Sequence, residues 1–178
     1  MLQEFVQNVE DTARDVIEEL HTAIPGKFVS YDPDTGMAEV KPYGMFRAPT
    51  GKNMEYPVLT EVPVILPQCS SLGVEIAFPI QAEDDCLLII SEQELDSWLY
   101  REESDAELHF DLTSAIAIPG LSREKNSAME EACKNGSLVL KCGSNKISVS
   151  STEIVISGNL KVDGNITATG TVTGNNIG

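Results

Sequence analysis

Histidine, aromatic residues and positive charge are scarce in this chain, and each scarcity narrows what it can do. There are two histidines among 178 residues, His21 and His109. A Ser–His–Asp hydrolase needs a histidine base beside its nucleophile, and both imidazoles read as structural. Aromatic residues make up 6% of the chain, and none follows Phe110. Lys and Arg number 12 against 28 Asp and Glu, a formal charge of −16. The imbalance sits in residues 1–120, with 23 acidic and 6 basic side chains, whereas residues 121–178 carry 5 acidic and 6 basic. A polyanionic front half repels nucleic acid and anionic lipid, so no nucleic-acid partner is expected. Such a surface keeps the protein soluble or matches a basic partner, and the sequence names none.

Other absences point the same way. No apolar run reaches the roughly 18 residues of a membrane span. The acidic, amphipathic start MLQEFVQNVEDTARDV lacks the basic opening and apolar middle of a secretory signal, so synthesis in the cytoplasm is expected. Cys69, Cys86, Cys133 and Cys142 form no C-x-x-C pair and fit no common zinc spacing, so reduced thiols are expected. No phosphate-cradling motif of the P-loop or Rossmann type occurs. Paired carboxylates such as Glu83, Asp84 and Asp85 can serve a glycosidase, but here they occupy a polar turn between strands and read as a solvated loop. No catalytic residue, cofactor or metal ligand is assigned, and the chain is read as non-enzymatic.

What is present is mostly strand. Residues 1–24 are the exception. Leu2, Phe5, Val6, Val9, Ala13, Val16, Ile17, Leu20 and Ile24 recur at three- and four-residue steps, the period of an amphipathic helix, with Pro25-Gly26 as its stop. That apolar stripe packs on its own domain, on a partner or on symmetry mates. Residues 25–120 read as a small closed barrel. Lys27–Tyr31 and Gly36–Val40 flank the turn Asp32–Thr35. Leu59–Leu66, Val74–Ile80 and Cys86–Ile90 supply further strands. Glu94–Tyr100 is expected as a helical turn with Trp98 pinned on the barrel. Glu107–Asp111 is expected as an extra strand, and Ala115–Gly120 closes the domain. Residues 121–136 are polar and read as a linker.

From Ser137 onward apolar and polar residues alternate, and a six-residue rhythm then sets in at Gly158, Gly164 and Gly170. Each unit gives a turn glycine and a short strand with one apolar face. Such a strip cannot fold alone, because ordering its backbone costs about 1–2 kcal/mol per residue and it has little to bury against. A single-chain β-helix needs about three coils, more than this rhythm covers. Three chains wound on one axis solve both problems and remove the strand edges. Residues 137–178 are therefore expected as an intertwined trimeric β-helix. Its shared core would be Leu138, Leu140, Ile147, Val149, Ile154, Ile156, Leu160, Val162, Ile166 and Val172.

An ordered set of segments resembles a known family. Ile24-Pro-Gly-Lys-Phe-Val-Ser-Tyr-Asp-Pro-Asp-Thr-Gly-Met-Ala-Glu-Val-Lys-Pro42, Leu59-Thr-Glu-Val-Pro-Val-Ile-Leu-Pro67, Val74–Ile80 and Cys86–Trp98 follow in the order found in contractile-tail spike proteins. Asp105–Gly120 is similar to the family's closing segment, H-x-x-x-x-A-x-x-x-P-G, with one residue more between His109 and Ala115 here. The family comprises baseplate spikes of myophages and phage-tail-like bacteriocins. The resemblance implies an OB-fold barrel under a tail hub protein, and a cell-puncturing β-helix aimed at the target cell envelope. It implies a homotrimer residing in the virion or tail-like particle, with other baseplate components as neighbours. The hub contact is implied by the resemblance alone, and the N-terminal helix, through Phe5, Val9, Val16 and Leu20, is the candidate for it. Some relatives end in a His-x-His iron tip. This sequence lacks that motif, so no iron is expected, and a blunt end or a separate tip-capping protein takes its place. Two other readings remain. One is a trimeric OB-fold adaptor without a puncturing role. The other is a short hexapeptide-repeat acyltransferase, which needs more repeats and an intersubunit histidine.

Overall fold

A computed structural model describes residues 2–48, 51–101 and 109–174. The chain divides into two compact units, residues 1–123 and 124–178. The first opens with helix α1 (Leu2–Glu19). Strands β1 (Ala23–Asp32) and β2 (Met37–Pro42) follow, then a hairpin of β3 (Met45–Arg47) and β4 (Asn53–Glu55), and β5 (Leu59–Pro63). A two-residue ladder pairs β6 (Gln68–Cys69) with β7 (Val74–Glu75). Strand β8 (Asp85–Ile90), the short helix α2 (Asp96–Tyr100) and β9 (Ala115–Pro119) complete the unit. The second unit holds helix α3 (Ser127–Asn135) and strands β10 (Leu138–Cys142), β11 (Asn145–Val149) and β12 (Ile154–Ser157).

Five strands make one antiparallel sheet in the order β5-β2-β1-β8-β9. Two bulges curl it. Phe28 pairs Val40 but Ser30 pairs Glu39, so Val29 is the extra residue in β1. In the β2–β5 pair the register shifts between Ala38 and Val40, where Glu61 turns left-handed at φ 56°. An extra residue strengthens local twist. The two outer strands come together: Val64 bridges Ala117 in parallel, and the Ile65 N–H donates to the Ala117 carbonyl at 2.9 Å. Phe28, Val40, Leu59, Val62, Cys86, Leu88 and Ile90 fill the inside with Ala38, Ala115 and Ala117. Burial pushes the Cys86 thiol up to about 11, so it acts as a packing residue.

Several expectations need correction. The helix ends at Glu19, and Pro25-Gly26 lies inside β1. In β1 the Phe28 N–H points to β8, while the Pro25 carbonyl accepts from Tyr43, one residue past the end of β2. Pro25 thus faces the β2 side, and its missing N–H forfeits only the bond reciprocal to Tyr43, at the very end of that ladder, which is why the strand tolerates it. Val74–Ile80 is not a barrel strand: only Val74 and Glu75 pair, and Val74, Ile76 and Phe78 are exposed. The fifth strand of the curled sheet is β9, the closing segment. Trp98 lies on α2 as expected but is 67% exposed, not pinned. Between β2 and β5 stands the β3–β4 hairpin, which sequence reading did not single out, and Phe46 of β3 stacks tilted on Tyr56. In the strand expected over Glu107–Asp111, residues 107 and 108 lie outside the described residues, and 109–111 are not strand. The segment read as a linker contains α3, capped by the Asn126 side chain, which accepts from the Ala128 and Met129 N–H groups, and closed by left-handed Gly136. That Asn-to-Gly bracket is the helix signal that polarity masked. The last strip, residues 158–174, has bends near Gly158, Gly164 and Gly170 but no strand, so a β-helix is not seen within one chain.

Two features hold β1 in place. A Cβ added at Gly26 would stand 3.0 Å from Val40 Cγ1, 3.2 Å from the Lys41 carbonyl oxygen and 3.4 Å from Leu88 Cδ1. Gly26→Ala is therefore expected to cost about 1–3 kcal/mol, the range for overpacking a core; a urea transition at the parent's midpoint would contradict this. The second feature is a cluster on Asp85. The Tyr43 hydroxyl donates to its carboxylate at 2.9 Å, Arg123 Nε donates at 2.9 Å, and the guanidinium lies 5.4 Å from the Tyr43 ring centre. The Tyr43 bond, then Arg123, holds the Asp85 carboxyl below its usual range. A lowered folded-state pKa stabilises the fold above the unfolded value, about 3.9, and that contribution is lost as pH falls through the folded value. Asp85→Asn should then melt below the parent at neutral pH, with the gap closing in acid. A gap that is absent at neutral pH, or that widens in acid, would contradict the assignment.

Candidate functional site

The second unit is built against the usual rule that a helix covers the apolar side of a sheet. Strands β10, β11 and β12 form an antiparallel meander. A two-residue turn at Gly143-Ser144, with Gly143 at φ 58°, joins the first pair, as two-residue hairpins require. Ser150 organises the second turn: its hydroxyl accepts from the Thr152 and Glu153 N–H groups. The register then fixes the faces. Leu138 pairs Val149, which pairs Ile154; Leu140 pairs Ile147, which pairs Ile156. Residues directly opposite share a face, so these six apolar side chains form two rows on one side. The other side carries Val139, Ser148 and Val155 in one row, and Lys141, Lys146 and Ser157 in the next.

Helix α3 lies over the polar side. Lys141 Nζ donates to Ser127 Oγ at 2.9 Å, and Lys146 forms a part-buried ion pair with Glu131. Beneath the helix is a polar cavity of about 400 Å³ lined by Glu131, Ser137, Lys146, Ser148 and Ser157, among others. The Ser137 hydroxyl is buried with no hydrogen-bond partner in the described structure.

The apolar side is left bare. Leu138 is 61% exposed and Ile154 68%; Leu140, Ile147 and Ile156 are exposed too, and Val149 is half-buried. Leu160, Val162, Ile166 and Val172, which follow the sheet, are also exposed. Six of the ten residues assigned by alternation to a shared core are thus brought onto one face, and the other four lie beyond it on the strip. An exposed apolar patch of this kind marks an interaction surface. Phe5, Val9, Val16 and Leu20 of the α1 region are exposed as well, in the first unit.

The residues weighed for chemistry have structural partners. Lys27 donates to both Glu83 carboxylate oxygens at 2.8 Å, and the Asp84 carboxylate accepts from the Gln81 N–H. Asp85 belongs to the cluster with Tyr43 and Arg123. His21 stands edge-on to Tyr56 with ring centres 5.8 Å apart, and its N–H on the backbone donates to the Phe110 carbonyl. His109 Nδ1 is 3.1 Å from the Glu92 carbonyl. Among the described residues no group of three or more His, Cys, Asp or Glu converges to hold a metal. Sequence reasoning missed the Glu131–Lys146 pair and the cavity, because both depend on α3.

The curated proteins contain no match to this chain. A family does match: the phage protein Gp138 N-terminal domain aligns with residues 24–120. The matched stretch runs from β1, which begins at Ala23, to the end of β9 at Pro119, so it covers the whole curled sheet and more than half of the chain. The chain therefore belongs to the family of the phage protein Gp138 N-terminal domain.

Proposed function

We propose that this protein is the central spike at the baseplate of a contractile phage tail or phage-tail-like particle, a homotrimer with a structural, membrane-piercing role and no catalysis. Family membership supports a structural role in a phage particle. The sheet order β5-β2-β1-β8-β9, joined across its ends by a parallel bridge, fits a five-stranded OB-type barrel. In that reading the barrel sits under the tail hub, and the second unit points to the cell envelope.

The observation that carries the reading is the bare apolar face of β10, β11 and β12 with its helix on the opposite side. A sheet whose inner face is already polar gains nothing by burying it further. Its six-residue apolar face, continued by Leu160, Val162, Ile166 and Val172, needs a cover that the unit itself does not supply. Threefold association gives it one, with the three faces turned to a common axis. The bends near Gly158, Gly164 and Gly170 then mark the corners at which a strip of short strands passes from one face of the prism to the next. Axial load suits this arrangement, since withdrawing one chain breaks contacts with both others. The adaptor reading shares the trimer and differs in location: labelling at the distal tip of purified particles supports the spike, and labelling elsewhere supports the adaptor.

Two measurements test the trimer. Light scattering with size-exclusion chromatography should give a trimer mass for the full chain and a monomer mass for a chain ending at Arg123. Ile154→Asp or Ile156→Asp would set three carboxylates around one axis, and desolvated like charges are strongly unfavourable. Either variant should dissociate. A monomeric full chain, or an aspartate variant with the parent's mass, would refute the shared core.

A further inference from the structure

Helix α1 presents a second apolar face, and its spacing says what covers it. Val6, Ala13 and Leu20 recur every seven residues, as do Val9 and Val16. Leu20 stands immediately after the last helical residue. Together they alternate steps of three and four, an average of about 3.5 residues, which is the seam of a left-handed coiled coil. A helix made to lie on its own barrel has no need of that register, and these side chains are exposed: Val6, Val9, Val16 and Leu20 all stand open, with Phe5 and Ile17 beside them. The opposite side is polar and tied to itself, with Gln7 Nε2 donating to Asp11 at 3.1 Å.

We propose that the α1 helices of three copies pack as a parallel coiled coil. Three features select this occupant. The Val9 and Val16 layer is β-branched at the position where dimers prefer leucine, a choice that favours three or more strands. Phe5 and Ile17 flank the seam and widen the apolar stripe beyond what two helices bury. In the parallel register the flanking position of Phe5 meets that of Glu10 on the next helix, and Thr12 meets Ile17, so acidic groups do not face each other across the seam. The 18-residue helix spans about 27 Å and is too short to associate strongly alone. Tethering through another trimer contact raises its effective concentration. The inference rests on the trimer proposed above. It assigns to self-association the residues that the family resemblance offers to the hub.

The test is thiol cross-linking in the full chain, with Val9→Cys and Val16→Cys in the seam and Gln7→Cys on the outer face. Cysteines can be bridged when their Cα atoms lie within about 7 Å, a distance that seam layers meet and the outer face does not. Under mild oxidation both seam variants should form covalent dimers, leaving one chain of each trimer free. Gln7→Cys should not, with the exposed Cys69, Cys133 and Cys142 replaced by serine in every variant, because Cys142 shares the β10 face of Leu138 and Leu140. Light scattering on the same samples separates the two readings. A trimer whose seam cysteines link no faster than the Gln7→Cys control overturns the coil, frees the helix for the hub and leaves the spike standing. A monomer overturns both.

Discussion

Strand β1 is the member on which the first unit depends. It is hydrogen-bonded to β2 on one side and to β8 on the other, and through them it sets the register of β5 and β9. Its contact with both neighbours is tightest at Gly26, where the space a methyl group would need is already occupied by Val40 and Leu88. A glycine in a strand interior ordinarily weakens the strand. Here it lets the sheet draw in far enough for small residues, Ala38, Ala115 and Ala117, to line the inside beside Phe28 and Leu88. The bulge at Val29 then bends β1 away from a flat course, and the parallel bridge at Val64 and Ala117 becomes reachable.

The second unit rests on a different balance. Its sheet has a helix on the wrong side by the ordinary rule, and the part-buried pair of Lys146 with Glu131, with the Lys141–Ser127 bond, ties the helix there. A lone ammonium taken from water would be costly, and a paired one is tolerable. With the polar side closed in this way, the apolar residues of the alternating pattern are left to the outside. The two ends of the chain share this property: α1 and the C-terminal sheet each carry an apolar face that no described residue of their own unit covers.

Local signals in the sequence were legible where local chemistry decided the outcome. The hairpin at Asp32–Thr35 was readable because Asp32 both caps the turn and precedes Gly36, whose φ of 74° asks for glycine. Leu138 with Leu140, Ile147 with Val149, and Ile154 with Ile156 could each be placed on one side of their own strand from period two, and the hairpin register then brings the three pairs to one face. The errors came where tertiary context outweighed a local cue. Pro25-Gly26 reads as a helix stop, yet lies in a strand because the N–H that Pro25 lacks falls just past the last β1–β2 pair, Gly26 with Pro42. Val74–Ile80 has strand composition but lacks a partner beyond two residues. Helix α3 was hidden by charge, though Asn126 and Gly136 bracket it. The bare face itself could not be read at all, because alternation says which residues share a side and not which side a helix will cover.

The bare sheet also divides how the two units respond to their surroundings. The curled sheet buries its inner cluster within the chain, so the stability of that core is fixed by sequence, temperature and solvent. A face that only another molecule can cover obeys mass action instead, and its stability rises with the concentration of whatever covers it. One polypeptide thus carries a part whose folding equilibrium is indifferent to dilution and a part whose equilibrium is not. Newly made chains, at their most dilute, would hold a finished curled sheet well before they hold a finished C-terminal unit.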